Sequence, residues 1–383
     1  MHSSVVLSQI SYLAIIFVLL VIPRMLQRYR IPAPLSCFAL GLGTSLVAKE
    51  YGADPTLNLL ATLGISSLFL FAGLEVNTQD LRKGLRPLLG HMLIRTLVLA
   101  GNVWIGMTYF DFSWQVAGLV ALALLTPSTG FILDSLQSLG LDDQEKFWVT
   151  SKAIVGELLA LLLLFLILKS DSYAELALSS GVLLATAISL PLVLMFLGRI
   201  VIPHAPGSEF SLLVMVGLIA AYLTKQIGVY YLVGAFLTGF VARQLRVRLP
   251  NLASDSNLHA VKLFASFFVP FYFFYSGMKV PEAALQWQSL ALGLGMTATV
   301  LPLRVGIVTL QRKLLHRDSV ASSFRVAIAL APTLIFTLVI ANILHERFGI
   351  SDVLFGGLLV YAALSTILPS LVLSKGIALD VDA

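Results

Sequence analysis

The chain has 383 residues, of which 58% are hydrophobic and only 12% charged, with a mean hydropathy of +0.93. So few charges cannot cover a soluble globule of this size, which leaves an all-α polytopic membrane protein. The formal net charge of +5 is spread over short loops between apolar runs, where topology calls for Lys and Arg, so it gives no reason to expect a nucleic-acid partner. One cysteine, Cys37, excludes a disulfide framework and a Cys-based metal site.

Apolar runs of about 17–25 residues predict thirteen transmembrane helices, with limits near 5–23, 33–48, 57–74, 86–110, 115–138, 146–169, 174–202, 209–226, 229–243, 258–278, 285–312, 322–346 and 352–374. No Lys or Arg precedes the first run, whereas Arg24, Arg28 and Arg30 follow it, so it reads as a retained span rather than a cleaved signal. Segments after odd-numbered spans carry sixteen Lys and Arg, including Arg82, Lys83, Arg86, Arg317 and Lys375, against five after even-numbered spans. That bias places the odd loops and the C-terminus in the cytoplasm and the N-terminus outside. Eight residues follow Lys375, so the whole of 1–383 reads as one membrane domain with no soluble regulatory domain.

Three weak internal matches share nearly one offset. Phe71-Ala72-Gly73-Leu74-Glu75-Val76 matches Tyr275-Ser276-Gly277-Met278-Lys279-Val280. Ala123-Leu124-Leu125-Thr126-Pro127 matches Ala329-Leu330-Ala331-Pro332-Thr333, and the stretch from Ile31 to Gly43 matches that from Ile227 to Gly239. An offset of seven spans turns the second copy over, predicting inverted repeats at 1–173 (spans one to six) and 209–383 (spans eight to thirteen), joined by span seven at 174–208. Spans five and twelve then hold equivalent interruptions, Thr126-Pro127-Ser128-Thr129-Gly130 and Pro332-Thr333. Proline in mid-helix removes a backbone bond, and the small polar residues beside it suit true discontinuity.

Glu157 lies at the centre of span six, about 15 Å or more from either interface at 1.5 Å per residue, too deep to snorkel. Ala153, Gly156 and Ala160 give its helix a face of small residues against which span five is expected to pack. A carboxyl so buried can hold a proton near neutral pH. It can also exchange that proton for a monovalent cation, Na⁺ or K⁺, ligated by its own oxygens, Thr126, Ser128, Thr129 and free carbonyls. Other ionisable residues fit lesser roles. Glu75 either pairs with Arg304 or sits hydrated at the membrane edge, and Asp134 is either a second polar group on the pathway or a solvated helix end. Arg95 and Lys152 pair with acids or snorkel. His91 and His204 could tune a pH response, and Asp142, Asp143 and Glu145 read as a solvated acidic loop. No phosphate loop, dinucleotide fingerprint or triad stands out, so neither an enzyme nor a cofactor is expected, and no metal beyond the transported ion.

Tyr29-Arg30-Ile31-Pro32, Phe71-Ala72-Gly73-Leu74-Glu75, the Thr126–Gly130 break, Val155-Gly156-Glu157 and the run from Phe268 to Gly277 resemble the cation:proton antiporter superfamily. The closest likeness is to its bacterial branch, which includes the potassium-efflux antiporters of the KefC type. The resemblance covers nearly the whole chain through loose, apolar motifs. It implies the Na⁺/H⁺ antiporter-like fold, a homodimer in a bacterial inner (plasma) membrane, crossed broken helices in a mobile core, and elevator-like movement. Family members carry a pair such as Asn-Asp or Asp-Asp where this chain has Gly156-Glu157, which leaves the consequence of the lost polar neighbour open. Arg304 aligns with a basic residue near the family's ion site. It can compensate charge without carrying a proton, which favours electroneutral exchange. A transporter of the same fold for an organic anion, and a channel-like or non-transporting sensor, are the alternatives.

Overall fold

The computed structural model describes residues 2–76, 78, 84–170, 172–228, 231–315 and 318–373. Arg82, Lys83, Arg317, Lys375 and the last residues of the chain, which enter the topology argument, lie outside that set. All regular structure among the described residues is helical. In chain order the helices are α1 (His2–Gln27), α2 (Ala33–Val47), α3 (Pro55–Leu74), α4 (Leu85–Tyr109), α5 (Trp114–Leu125), α6 (Thr129–Ser135), α7 (Asp143–Lys169) and α8 (Tyr173–Phe196). They continue with α9 (Glu209–Gln226), α10 (Tyr231–Gln244), α11 (Asp255–Met278), α12 (Trp287–Leu315), α13 (Val320–Ala329), α14 (Leu334–Phe348) and α15 (Asp352–Val372).

Every one of the thirteen expected spans contains a helix. Among the described residues, ten are long and apolar enough to cross a bilayer, the α13–α14 pair makes an eleventh bent by 45°, and α2 and α10 are shorter apolar helices. The tight connections owe their form to N-caps: the side chains of Asp54, Ser113, Asp142, Ser172, Ser254, Ser319 and Ser351 each accept from the N–H three residues on. One of these caps corrects the reading of a solvated acidic loop at Glu145. Asp142 and Glu145 form a capping box at the start of α7, with Glu145 buried and accepting from Arg325 Nε at 3.1 Å. Asp142 and Asp143 are both exposed, Asp143 beside Lys146.

The helices sort into two packed groups. In the first, α2 packs on α1 and α11, α3 on α10 and α11, and α9 on α10. In the second, α4 packs on α5 and α7, α12 on α13 and α15, and α14 on α5 and α15. Helix α8 touches both, and the groups otherwise meet chiefly where α3 passes α6. Glycines set the crossings in the first group. A Cβ added to Gly73 on α3 would lie 2.2 Å from the Phe236 carbonyl oxygen, and one on Gly277 of α11 would lie 2.1 Å from that of Phe38 on α2. Backbones this close leave no room for a methyl group. Gly73→Ala is therefore expected to destabilise the protein by about 2 kcal/mol, visible as a lower melting temperature in detergent; an unchanged melt would show that the crossing gives way freely.

Candidate functional site

The second group is built around two broken helices that complete one another. Between α5 and α6, Thr126 and Ser128 are extended, with φ/ψ of −82/121° and −86/89°. Residues 330–333 separate α13 from α14, with φ/ψ of −87/0° at Leu330 and −125/0° at Thr333. Broken backbone in a bilayer needs partners from the protein itself, and here they come from the other break, from α14 and α15, and from two arginines. Ser128 N–H donates to Pro332 O at 2.8 Å. Ser128 Oγ accepts from Ile335 N–H at 3.0 Å and Phe336 N–H at 3.4 Å, covering the first turn of α14. Thr337 Oγ1 donates to Ala123 O at 2.7 Å, and Tyr361 Oη on α15 donates to Leu124 O at 2.6 Å.

Two arginines hold the remaining carbonyl ends. Arg95 Nη2 on α4 donates to Leu125 O at 2.9 Å. Arg304 on α12 donates through Nη2 to Leu330 O at 3.1 Å, and through Nη1 to Ala331 O at 3.1 Å and Tyr361 Oη at 2.8 Å. Each places positive charge at the negative end of a half-helix dipole. Thr333 Oγ1 sits 3.1 Å from Ser365 Oγ, which ties the second break to α15.

Glu157, 1% exposed, lies on α7 at the N-terminus of α6, where the Thr129 N–H faces its carboxyl. The Thr129 hydroxyl is beside the carboxyl without meeting hydrogen-bond geometry. Oε2 of Glu157 and the hydroxyls of Thr126 and Thr129 are buried with no hydrogen-bond partner. Three oxygens are thus left open at one break, in a setting where an unpaired polar atom is costly. Ser128, expected beside them, instead spends its hydroxyl on α14, and Pro127 and Gly130 flank the break. Cavities of about 240 Å³ and about 430 Å³ open at opposite ends of the seam between the helix groups. The smaller is lined by Gly130, Asp134 and Lys262, the larger by Thr62, Lys225, Asn342 and Glu346, and Glu157 lines neither.

The other candidates fall elsewhere. Asp134 faces Lys262 at 4.0 Å in the smaller cavity. Glu75 ends α3 with Arg243 and Lys262 as its charged neighbours, away from Arg304. Lys152, fully buried, neither pairs with an acid within salt-bridge distance nor snorkels. Its Nζ donates to Gln311 Oε1 at 3.0 Å, and His91 Nδ1 meets the same oxygen at 3.0 Å. His204 is exposed and contacts Ile200 O. Tyr361 and Thr337 hold the breaks and were passed over by sequence reasoning. Arg95, an ionisable group deep in a span and expected to pair with an acid or to snorkel, turns inward to a carbonyl instead.

The sequence profile of the family described as "Sodium/hydrogen exchanger, transmembrane" matches residues 14–375. A protein of Methanocaldococcus jannaschii named "Probable Na(+)/H(+) antiporter 3" is 26% identical over 288 residues, covering 70% of this chain and 72% of its own length. The structure of the sodium proton antiporter MjNhaP1 from Methanocaldococcus jannaschii at pH 8 superposes with a TM-score of 0.70 at 14% identity, covering 96% of each chain. An electron-microscopy structure of MjNhaP1 gives 0.67 at 15% identity, covering 96% of this chain and 95% of its own. The match does not single out the potassium-efflux branch. With a profile spanning nearly every helix and a fold shared end to end, the chain belongs to the transmembrane sodium/hydrogen exchanger family, whose members are transporters rather than enzymes.

Proposed function

We propose that the protein exchanges one monovalent cation for one proton at Glu157, in a cell membrane with the N-terminus outside and the C-terminus in the cytoplasm. The observation that carries this is the set of open oxygens, Glu157 Oε2 with the Thr126 and Thr129 hydroxyls. A hard cation brings the charge that a buried carboxylate lacks and accepts only oxygen ligands, and a proton competes for the same carboxylate. Na⁺ is the first candidate, supported by the relatives' names, with K⁺ the second. The basic residue at the second break, Arg304, is an arginine rather than a readily titrating lysine, which supports one-for-one, electroneutral exchange. The two halves act as inverted repeats whose breaks cross at the site, and the second helix group carries the site past the first in a homodimer of the bacterial inner membrane.

The test uses proteoliposomes with a pH-sensitive dye and additions of Na⁺, K⁺ or Li⁺. Cation addition is expected to drive proton movement that is unchanged when the membrane potential is clamped. For one-for-one competition, each tenfold rise in cation lowers the pH of half-maximal response by about one unit. Silence with every cation overturns the proposal, and current without coupled proton movement replaces it with a channel.

A further inference from the structure

Arg95 is seated against the residue that precedes Glu157. A Cβ built on Gly156 would lie 2.5 Å from Arg95 Nη1, 3.0 Å from its Cζ and 3.4 Å from Pro127 Cγ. The guanidinium therefore fills the space that a side chain at 156 would need, and glycine is required there for Arg95 rather than for the length of Glu157. The side chain does not snorkel: Nη2 turns inward to the Leu125 carbonyl in mid-membrane. Its Nε is buried without a hydrogen-bond partner, and both Glu157 and Arg304 act on its charge.

We infer that Arg95 is a positioning residue for the exchange reaction, seated on Gly156 to hold the end of α5 and to set a fixed positive charge beside Glu157. This rests on Glu157 being the ion-carrying carboxylate. The charge has a definite use. A carboxylate in low dielectric with no cation beside it binds its proton too tightly to trade it, and a neighbouring guanidinium eases release without titrating itself.

The other charged groups around α7 are engaged away from Glu157: Arg347 on α14 donates to Leu168 O at 2.9 Å, and Arg312 on α12 pairs with Asp318 at 2.6 Å. On α13, Arg325 pairs with Glu145 at 3.1 Å. Glu175 on α8 faces Lys169 at 3.8 Å, and Asp134 on α6 faces Lys262. His91 on α4 and Lys152 on α7 itself meet at Gln311. From α12, Arg304 is committed to Leu330, Ala331 and Tyr361. Arg95 is thus the charged side chain that flanks the carboxylate from the neighbouring α4.

The experiment reads the pH profile of Na⁺-evoked proton movement in proteoliposomes. Arg95→Met is expected to move the half-maximal pH upward by about one unit or more, and Arg95→Lys to keep the native profile at a lower rate. Gly156→Ala, whose methyl group expels the guanidinium, is expected to shift the profile as Arg95→Met does. The double variant should shift no further than either single change, because Gly156 acts only through Arg95. A native profile in Arg95→Met, whatever its rate, overturns the inference, as do additive shifts in the double variant. If Arg95→Met does not yield monodisperse protein, Gly156→Ala decides alone, a native profile again overturning it. Transport that survives in Glu157→Gln defeats the ion-site assignment as well, whereas silence there with a native profile in Arg95→Met defeats only the role of Arg95.

Discussion

Glu157→Gln is expected to abolish cation-evoked proton movement while leaving the protein at least as stable as the native form. The amide keeps the volume of the acid and can still meet the Thr129 N–H, so packing on α6 is undisturbed. What it loses is the ability to bind a proton and the charge that offsets a dehydrated cation. Removing an ionisable group whose Oε2 has no partner relieves a desolvation cost rather than adding one. Glu157→Asp keeps the chemistry but withdraws the carboxylate by one methylene, a misplacement of more than 1 Å, and should retain transport reduced by about 100-fold. Dye-based flux and thermal melting on the same preparations check both. Residual transport in the Gln variant would remove Glu157 from the mechanism and direct attention to Asp134.

Arg304→Met should cost both stability and transport. The change strips hydrogen bonds from two buried carbonyls, Leu330 and Ala331, and leaves Tyr361 with only its bond to Leu124. At about 1–3 kcal/mol for each orphaned group, a loss of about 2–6 kcal/mol is expected, seen as a lower melting temperature, with transport lowered at least about 100-fold. Arg304→Lys restores the charge, but a single ammonium cannot hold two carbonyls and a phenol oxygen in the same geometry. It should recover part of the stability and little of the rate. A native melting temperature in Arg304→Met would mean that water serves the second break as well as the guanidinium does.

The depth of Glu157, the two prolines and the thirteen apolar runs were legible because each is a local signal: a charge where none is tolerated, a missing donor, a length matched to the bilayer. Roles that depend on a distant partner were not. Ser128 and Thr126 look alike in the chain, yet only Ser128 meets the N–H groups of Ile335 and Phe336 across 207 and 208 residues. Glu145 reads as one of three loop acids until Arg325 arrives from 180 residues away. Arg95 was recognised as deep but expected to pair with an acid or snorkel. No pattern in α4 tells that its side chain turns to a carbonyl. The glycines of the repeat matches, Gly73 and Gly277, were noticed as signs of duplication. Their task is to let helices touch, Gly73 against α10 and Gly277 against α2.

The mutual bonding of the two breaks also bears on how the protein is made. Leu124 O waits for Tyr361, 237 residues later, and Ala123 O waits for Thr337, 214 residues later. At about 5–20 residues per second, α5 and α6 must sit in the bilayer for about 10–50 seconds before those partners exist. Arg95, made 30 residues before Leu125, is on hand from the start. The second break emerges into a different situation, since Ser128 and Arg304 precede it and Tyr361 follows within a few seconds of synthesis. The first break is therefore the one that stays unmatched longest during synthesis, until α14 and α15 are made.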